Sequence, residues 1–194
     1  MLQNLEGQAE AVADSHNVPW GSQAGDAASK GWFDLQLDKA KKALEMPGGV
    51  LDVIADEVNP TNSGDNCGHI IDAVIARLRG TDPKAVAQAG LDGSWADILK
   101  RYNTKIQLGI SFDEAFKRVR EGGNGTIAII GIVFKNGLSH VVVITNDNGA
   151  VGIVEGQSTK KHPKKVIYTA EEAYERYNRN FGGIASIGYA AIPP

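Results

Sequence analysis

The chain predicts an α+β protein, and three observations carry that expectation. Capping signals and amphipathic stripes fill the region up to about residue 121. A nearly unbroken apolar run, Thr126–Phe134, then reads as a strand covered on both faces. Asn146-Asp147-Asn148-Gly149, flanked by His140–Thr145 and Val151–Gln157, is the strongest hairpin signal in the sequence. Helices first and an antiparallel sheet afterwards, with one inserted or trailing helix, is the segregated pattern of that class.

Residues 1–50 read as a linker or helical extension, and residues 51–194 as the folded domain. Pro19, Gly21, Gly25 and Gly31 punctuate the extension, and a short amphipathic helix is expected through Leu35, Leu37, Ala40 and Leu44. A second short helix runs through Val50, Val53, Ile54 and Val58, ending before Asn59-Pro60. Residues 67–79 form a helix with Ile70, Ile71, Val74, Ile75 and Leu78 on one stripe. Asp65 and Asn66 are N-cap residue types, and Gly80 is a stop. Asp82-Pro83 opens a smaller helix, and Trp95 to Leu99 another. Ser111-Phe112-Asp113-Glu114 and Thr169-Ala170-Glu171-Glu172 are capping boxes, each opening a helix. Alternation from Ile184 to Ile192 gives a last strand.

Composition narrows the function. With 194 residues, 42% apolar and 22% charged, the chain has the make-up of a folded protein rather than a disordered or collagen-like one. Net charge is −3, which leaves no whole-chain footprint for nucleic acid. The charge is uneven, since residues 1–60 carry 4 basic and 10 acidic side chains and residues 61–194 carry 16 and 13. A single cysteine excludes an internal disulfide and Cys-rich zinc sites. No apolar run reaches membrane-spanning length, and no cleavable secretion signal is visible. No His/Asp/Glu cluster has metal-ligand spacing, and no cofactor motif occurs. Gly122-Gly123-Asn124-Gly125 lacks the Lys-Ser/Thr of a phosphate loop.

The lone cysteine stands where chemistry is easily arranged. Cys67 falls in the first turn of its helix, where free N–H groups and the helix dipole favour a thiolate. Its position three and four residues before Ile70 and Ile71 equally suits a small buried hydrophobe. His140 starts a valine-rich strand, and the hairpin decides what faces it. A turn at Asp147-Asn148 sets Glu155 opposite His140; a turn at Asn148-Gly149 sets Gln157 there. Either way both residues share His140's face, one opposite and one diagonal. A three-residue loop would turn Glu155 away. Thiol, imidazole and an orienting carboxylate or amide form the set that cysteine hydrolases use. His69, two residues after Cys67, is a poor partner for it on a helix. The loop 160–165, with four lysines in six residues, reads as a solvated turn or a contact for an acidic partner.

Asn59-Pro60, Asn66-Cys67 at a helix start, His140 before the valines, Asn148-Gly149, and Val154-Glu155-Gly156-Gln157 resemble the papain-fold toxin domains of bacterial polymorphic toxins, of glutamine-deamidase type. The resemblance covers about residues 59–160. It implies a papain-like fold with the nucleophile helix packed on the C-terminal sheet. It also implies Cys67 as nucleophile, His140 as base and Glu155 as the orienting acid, with Gln157 the alternative third member. Glu155 stands where the family usually has Asp, and Ile70 where a second cysteine often occurs. Asn62, Asn66 and the Cys67 N–H are the expected oxyanion donors. The expected activity is deamidation of a target-cell protein in the cytoplasm, after secretion or delivery by a specialised system. A cognate immunity protein is an expected partner, with no nucleic acid and no membrane insertion. The same residues also suit a cysteine protease, a peptidoglycan amidase or a non-catalytic binding module.

Overall fold

The computed structural model describes residues 49–92, 94–158, 162–179 and 182–194. The extension expected over residues 1–50, including its helix at 35–44, lies outside them apart from the last two residues. Apart from Gly49 and Val50, the described residues all belong to one unit, Leu51–Pro194.

Five helices and six strands are present among the described residues: α1 (Gly49–Glu57), α2 (Cys67–Leu78), α3 (Trp95–Arg101), β1 (Gln107–Leu108), α4 (Phe112–Glu121), β2 (Ile127–Phe134), β3 (Ser139–Asp147), β4 (Ala150–Glu155), β5 (Lys165–Ile167), α5 (Ala170–Asn178) and β6 (Ile184–Ala191). The strands form one antiparallel sheet in the order β1-β6-β2-β3-β4-β5. This is an α+β fold of papain-like type.

Strand β2 is central, and its apolar run follows from burial on both faces. Ile127 and Ile129 face one layer; Ala128, Ile130, Ile132 and Phe134 face the other. On the first face Leu51, Ile54, Val58, Ile70, Ile71 and Val74 of α1, α2 and their connection pack on Val141, Val143 and Val154. On the second, Phe112, Phe116 and Val119 of α4 and Ala173 and Tyr177 of α5 pack on Val142, Ile144 and Ile153. Burying two apolar faces supplies the main driving force for a sheet sandwiched in this way.

The β3–β4 hairpin closes on Asn148-Gly149. Asp147 pairs with Ala150 and Val143 with Val154. Asn148 and Gly149 have φ of 53° and 92°, the two left-handed positions of a type I′ turn. Of the registers open in the sequence, this is the one that sets Gln157 across from His140 and Glu155 diagonal to it; the three-residue loop does not form.

Two local expectations are corrected, and one short strand is added. No helix forms at Asp82-Pro83; the Asp82 side chain accepts from the Lys84 N–H, and the Ala87 N–H donates to the Val58 carbonyl at 2.7 Å. Those bonds pull the segment out as an irregular strap over α2. Strand β5 begins inside the lysine-rich loop, because Lys165 pairs with Glu155 and Val166 and Ile167 are buried. Strand β1, two residues long and exposed, carries no apolar pattern to reveal it. No helix among the described residues is long and apolar enough to cross a membrane.

Candidate active site

The site lies where β3 begins and β4 ends, beside the first turn of α2. Asn66 is the N-cap residue of α2, but its side chain does not cap the helix. Its amide group instead donates to Asn59 Oδ1 at 3.1 Å and to the Gln88 carbonyl at 2.8 Å. Asn59, fully buried, donates in turn to the Ser63 and Gly156 carbonyls at 3.0 and 3.2 Å. Two buried asparagines thus tie the turn before Cys67 to the end of β4. Gly156 permits that approach: a Cβ there would lie 2.7 Å from Val58 and 2.9 Å from Ile70.

His140 projects from β3 toward the same corner and is 14% exposed. Its Nε2 lies 2.9 Å from Glu155 Oε2, leaving Nδ1 as the ring nitrogen available to Cys67. Glu155 is held on every side. Tyr177 Oη donates to Oε2 at 2.9 Å, Arg176 Nε lies 3.7 Å from the same oxygen, and the Gln157 N–H donates to Oε1 at 2.9 Å. The diagonal register explains why a glutamate serves here. Diagonal neighbours in a sheet are about 7–8 Å apart, a span that suits the longer side chain.

The electrostatics follow from that packing. Burial alone would push the Cys67 thiol up, but the hydrogen bond and charge of His140 and the Val141 N–H more than offset it, so the thiol lies below its ordinary value. For His140 burial opposes the charged form, yet the Glu155 carboxylate and the Cys67 sulfur raise it to about 10. Glu155 is likewise held below the usual carboxylate range against its burial, by His140, Arg176 and the Gln157 N–H. The three groups favour a thiolate–imidazolium pair anchored on a carboxylate.

The other expected residues fall differently. Gln157 does not orient His140: with its oxygen turned toward the donors around it, its carboxamide accepts from the Cys67 N–H at 3.2 Å and the Asn66 N–H at 3.3 Å. Asn62 is not an oxyanion donor in this arrangement. It sits in an exposed turn at φ 52°, its N–H on the Asn59 carbonyl, away from the cleft lining. The Asn66 side chain is also withdrawn, because its amide protons are committed to Asn59 and Gln88; what it offers the cleft is its backbone N–H. A cleft of about 260 Å³ surrounds the group, with Leu91 and Leu138 on its rim and Tyr177 in its wall. The sequence alone does not single out Tyr177 and Arg176. The signal available was a capping-box helix carrying Arg and Tyr at its buried end.

His69 does not line this cleft. The fold brings it near Asp72 and Asp92, three ligand-type side chains whose spacing in the sequence did not suggest a cluster. Arg101 lies between the two carboxylates, 3.0 Å from Asp72 and 2.5 Å from Asp92, and answers their charge. Of the lysine-rich loop, Lys164 donates to the Asp56 and Asn59 carbonyls and Lys165 pairs with Glu172.

A thiol at a helix start, with an imidazole and a carboxylate on neighbouring antiparallel strands, defines the papain-like class. Residues 65–160 match the family model for papain fold toxin 1, glutamine deamidase. Among solved structures, the crystal structure of the Pseudomonas avirulence protein AvrPphB is similar over 63% of this chain and 69% of its own. The identity is 11% and the TM-score 0.37. No curated protein matches the sequence.

Proposed function

We propose that this chain is a toxin or effector domain that deamidates glutamine in a protein of the target cell. The observation that carries the reading is the Cys67–His140–Glu155 arrangement, with the thiol lowered and the imidazole raised in pKa. The Cys67 thiolate attacks the carboxamide carbon, and the resulting oxyanion is received by the Cys67 and Asn66 N–H groups. The imidazolium gives its proton to the departing nitrogen, which leaves as ammonia. Water, deprotonated by His140, then hydrolyses the thioester, yielding glutamate and the free thiol. Glu155 keeps the imidazole oriented and stabilises its charged form throughout. That a side-chain carboxamide, that of Gln157, already sits against the Cys67 N–H supports a substrate carrying the same group.

The target polypeptide is the substrate, and a cognate immunity protein that covers the cleft in the producing cell is the expected partner. Delivery by a specialised secretion system is the route proposed for it. The test is cytoplasmic expression of wild type beside Cys67→Ala in a sensitive cell, followed by mass spectrometry of the proteome. Glutamine-to-glutamate conversion and toxicity, both dependent on Cys67, are expected. New peptide termini without conversion would instead make the protein a protease, and toxicity confined to the periplasm would point to cell wall.

A further inference from the structure

We infer that Gln157 is an internal stand-in for the substrate carboxamide, filling the oxyanion position of the free enzyme and swinging out when substrate enters. The inference rests on the cysteine-hydrolase reading of this site, though not on which amide is the substrate.

The Cys67 N–H is the donor an attacked carbonyl oxygen must reach, and in the free protein it is already taken. Gln157 holds it at 3.2 Å and holds the Asn66 N–H at 3.3 Å with one oxygen. The occupant is chemically the group the proposed reaction consumes. Its main chain is pinned on both sides, since its N–H donates to Glu155 Oε1 at 2.9 Å and its carbonyl accepts from Arg176 at 3.0 Å. Only the side chain is free to leave, by rotation about its own bonds. The exchange replaces one carboxamide oxygen with another on the same two donors, so a substrate that brings a carbonyl recovers what it displaces. A ligand without a carbonyl leaves two N–H groups unanswered when it displaces Gln157, which costs more than the bond itself is worth. A ligand without a carbonyl therefore leaves Gln157 in place, and only a carbonyl-bearing ligand competes with it for the two donors. Its place in the cleft beside Cys67, His140 and Glu155 puts it in the path of any substrate.

The experiment compares two thiol reagents on the full chain. Iodoacetamide carries a carboxamide that can take the oxyanion donors; dithiodipyridine, a disulfide, has no carbonyl. Second-order rates at Cys67 near neutral pH are measured for wild type, Gln157→Ala and Gln157→Glu. In Gln157→Ala the iodoacetamide-to-disulfide rate ratio should rise roughly five- to ten-fold, the rate equivalent of one neutral hydrogen bond. In Gln157→Glu the ratio should fall, because a charged acceptor holds the N–H groups more tightly. A side chain that merely supports the turn would move both variants in one direction, and a ratio unchanged in both would leave Gln157 without this role; either result overturns the inference. Should Gln157→Ala not fold, Gln157→Ser, too short to reach the two N–H groups, serves in its place. A wild-type Cys67 inert to both reagents would instead overturn the hydrolase reading itself, and this inference with it.

Discussion

The two helical layers serve the same corner of the sheet by different means. The layer of α1 and α2 positions the nucleophile with uncharged amides: the turn at residues 59–66 is laced by the buried Asn59 and Asn66 carboxamides, and the Cys67 sulfur meets the Val141 N–H. The layer of α5 positions the base with side chains. Tyr177 and Arg176 converge on Glu155, which converges on His140. His140 and Glu155 follow the alternation of Val142 and Ile153, so they belong to the second layer, while Cys67 packs against the first. The chemistry arises where the strands end and the two layers meet. The lesson is that damage to the first layer should displace the nucleophile, whereas damage to the second should change protonation.

The largest effect separates them most cleanly. Removing the base by His140→Ala is expected to lower turnover by about 10²–10⁴, the range for general acid–base groups. Glu155→Gln should lower it less and should also shift the pH dependence. Without the carboxylate, His140 drops from about 10 toward or below its ordinary value, since burial is then unopposed by that charge. The basic limb of the pH profile for Cys67 alkylation therefore moves down. Stability follows the same sign. A His raised in the folded state stabilises the protein fully below its unfolded value and loses that contribution as pH rises through its folded one. Urea unfolding should thus show the penalty of Glu155→Gln largest near pH 6, close to the ordinary 6.5, and shrinking toward about 10. A penalty independent of pH would mean that Glu155 acts by packing alone.

In the first layer the informative change is Asn59→Ala. Asn59 is fully buried, and its loss leaves the buried Asn66 amide and the Gly156 carbonyl each short of a partner. A cost of about 1–3 kcal/mol per unsatisfied buried group is expected. Activity should fall with a pH profile unchanged in shape, measured beside thermal unfolding, because the groups that titrate are untouched. Gly156→Ala should act likewise by pushing β4 off Val58 and Ile70, at about 1–3 kcal/mol for an overpacked methyl. A shifted profile in either variant would break the distinction between the layers.

How much of this was legible in the sequence differs between the layers too. Cys67, His140 and Glu155 each sit in a strong local pattern: a helix start, a valine run and a hairpin arm. The Asn146-Asp147-Asn148-Gly149 signal even placed the hairpin turn, leaving two two-residue turns and a three-residue loop open. Of the expected oxyanion donors, the Cys67 N–H follows from the helix start, whereas the parts of the two asparagines were not readable in the same way. Asn66 looks like a cap and Asn62 like a turn residue that could turn inward, yet the first is drawn to Gln88, 22 residues on, and the second faces water. Tyr177 and Arg176 reach Glu155 only because α5 lies under β4, a contact that no short window of sequence contains. The strap at 82–90 was unreadable for the same reason, as it is tied down by bonds to residues outside it, Ala76 and Val58 among them.

The smallest effect tests whether the second layer tunes the acid or only fills space. Tyr177 is 1% exposed, stacks on Phe112 at 5.8 Å and lies 6.0 Å from the His140 ring, so a packing role alone would account for its burial. Its hydroxyl nonetheless donates to the same Glu155 oxygen that His140 uses. Tyr177→Phe keeps the ring and removes only that donor. A buried carboxylate that loses a hydrogen bond to its charged form becomes easier to protonate, so Glu155 rises toward its ordinary 4.5 or above. The acid limb of the rate profile should therefore move to higher pH while the basic limb, set by His140, stays. Turnover at neutral pH should fall only about two- to ten-fold, the equivalent of one hydrogen bond of about 0.5–1.5 kcal/mol. If stability drops but the acid limb does not move, Tyr177 belongs to the core and Glu155 is held by His140, Arg176 and the Gln157 N–H without it.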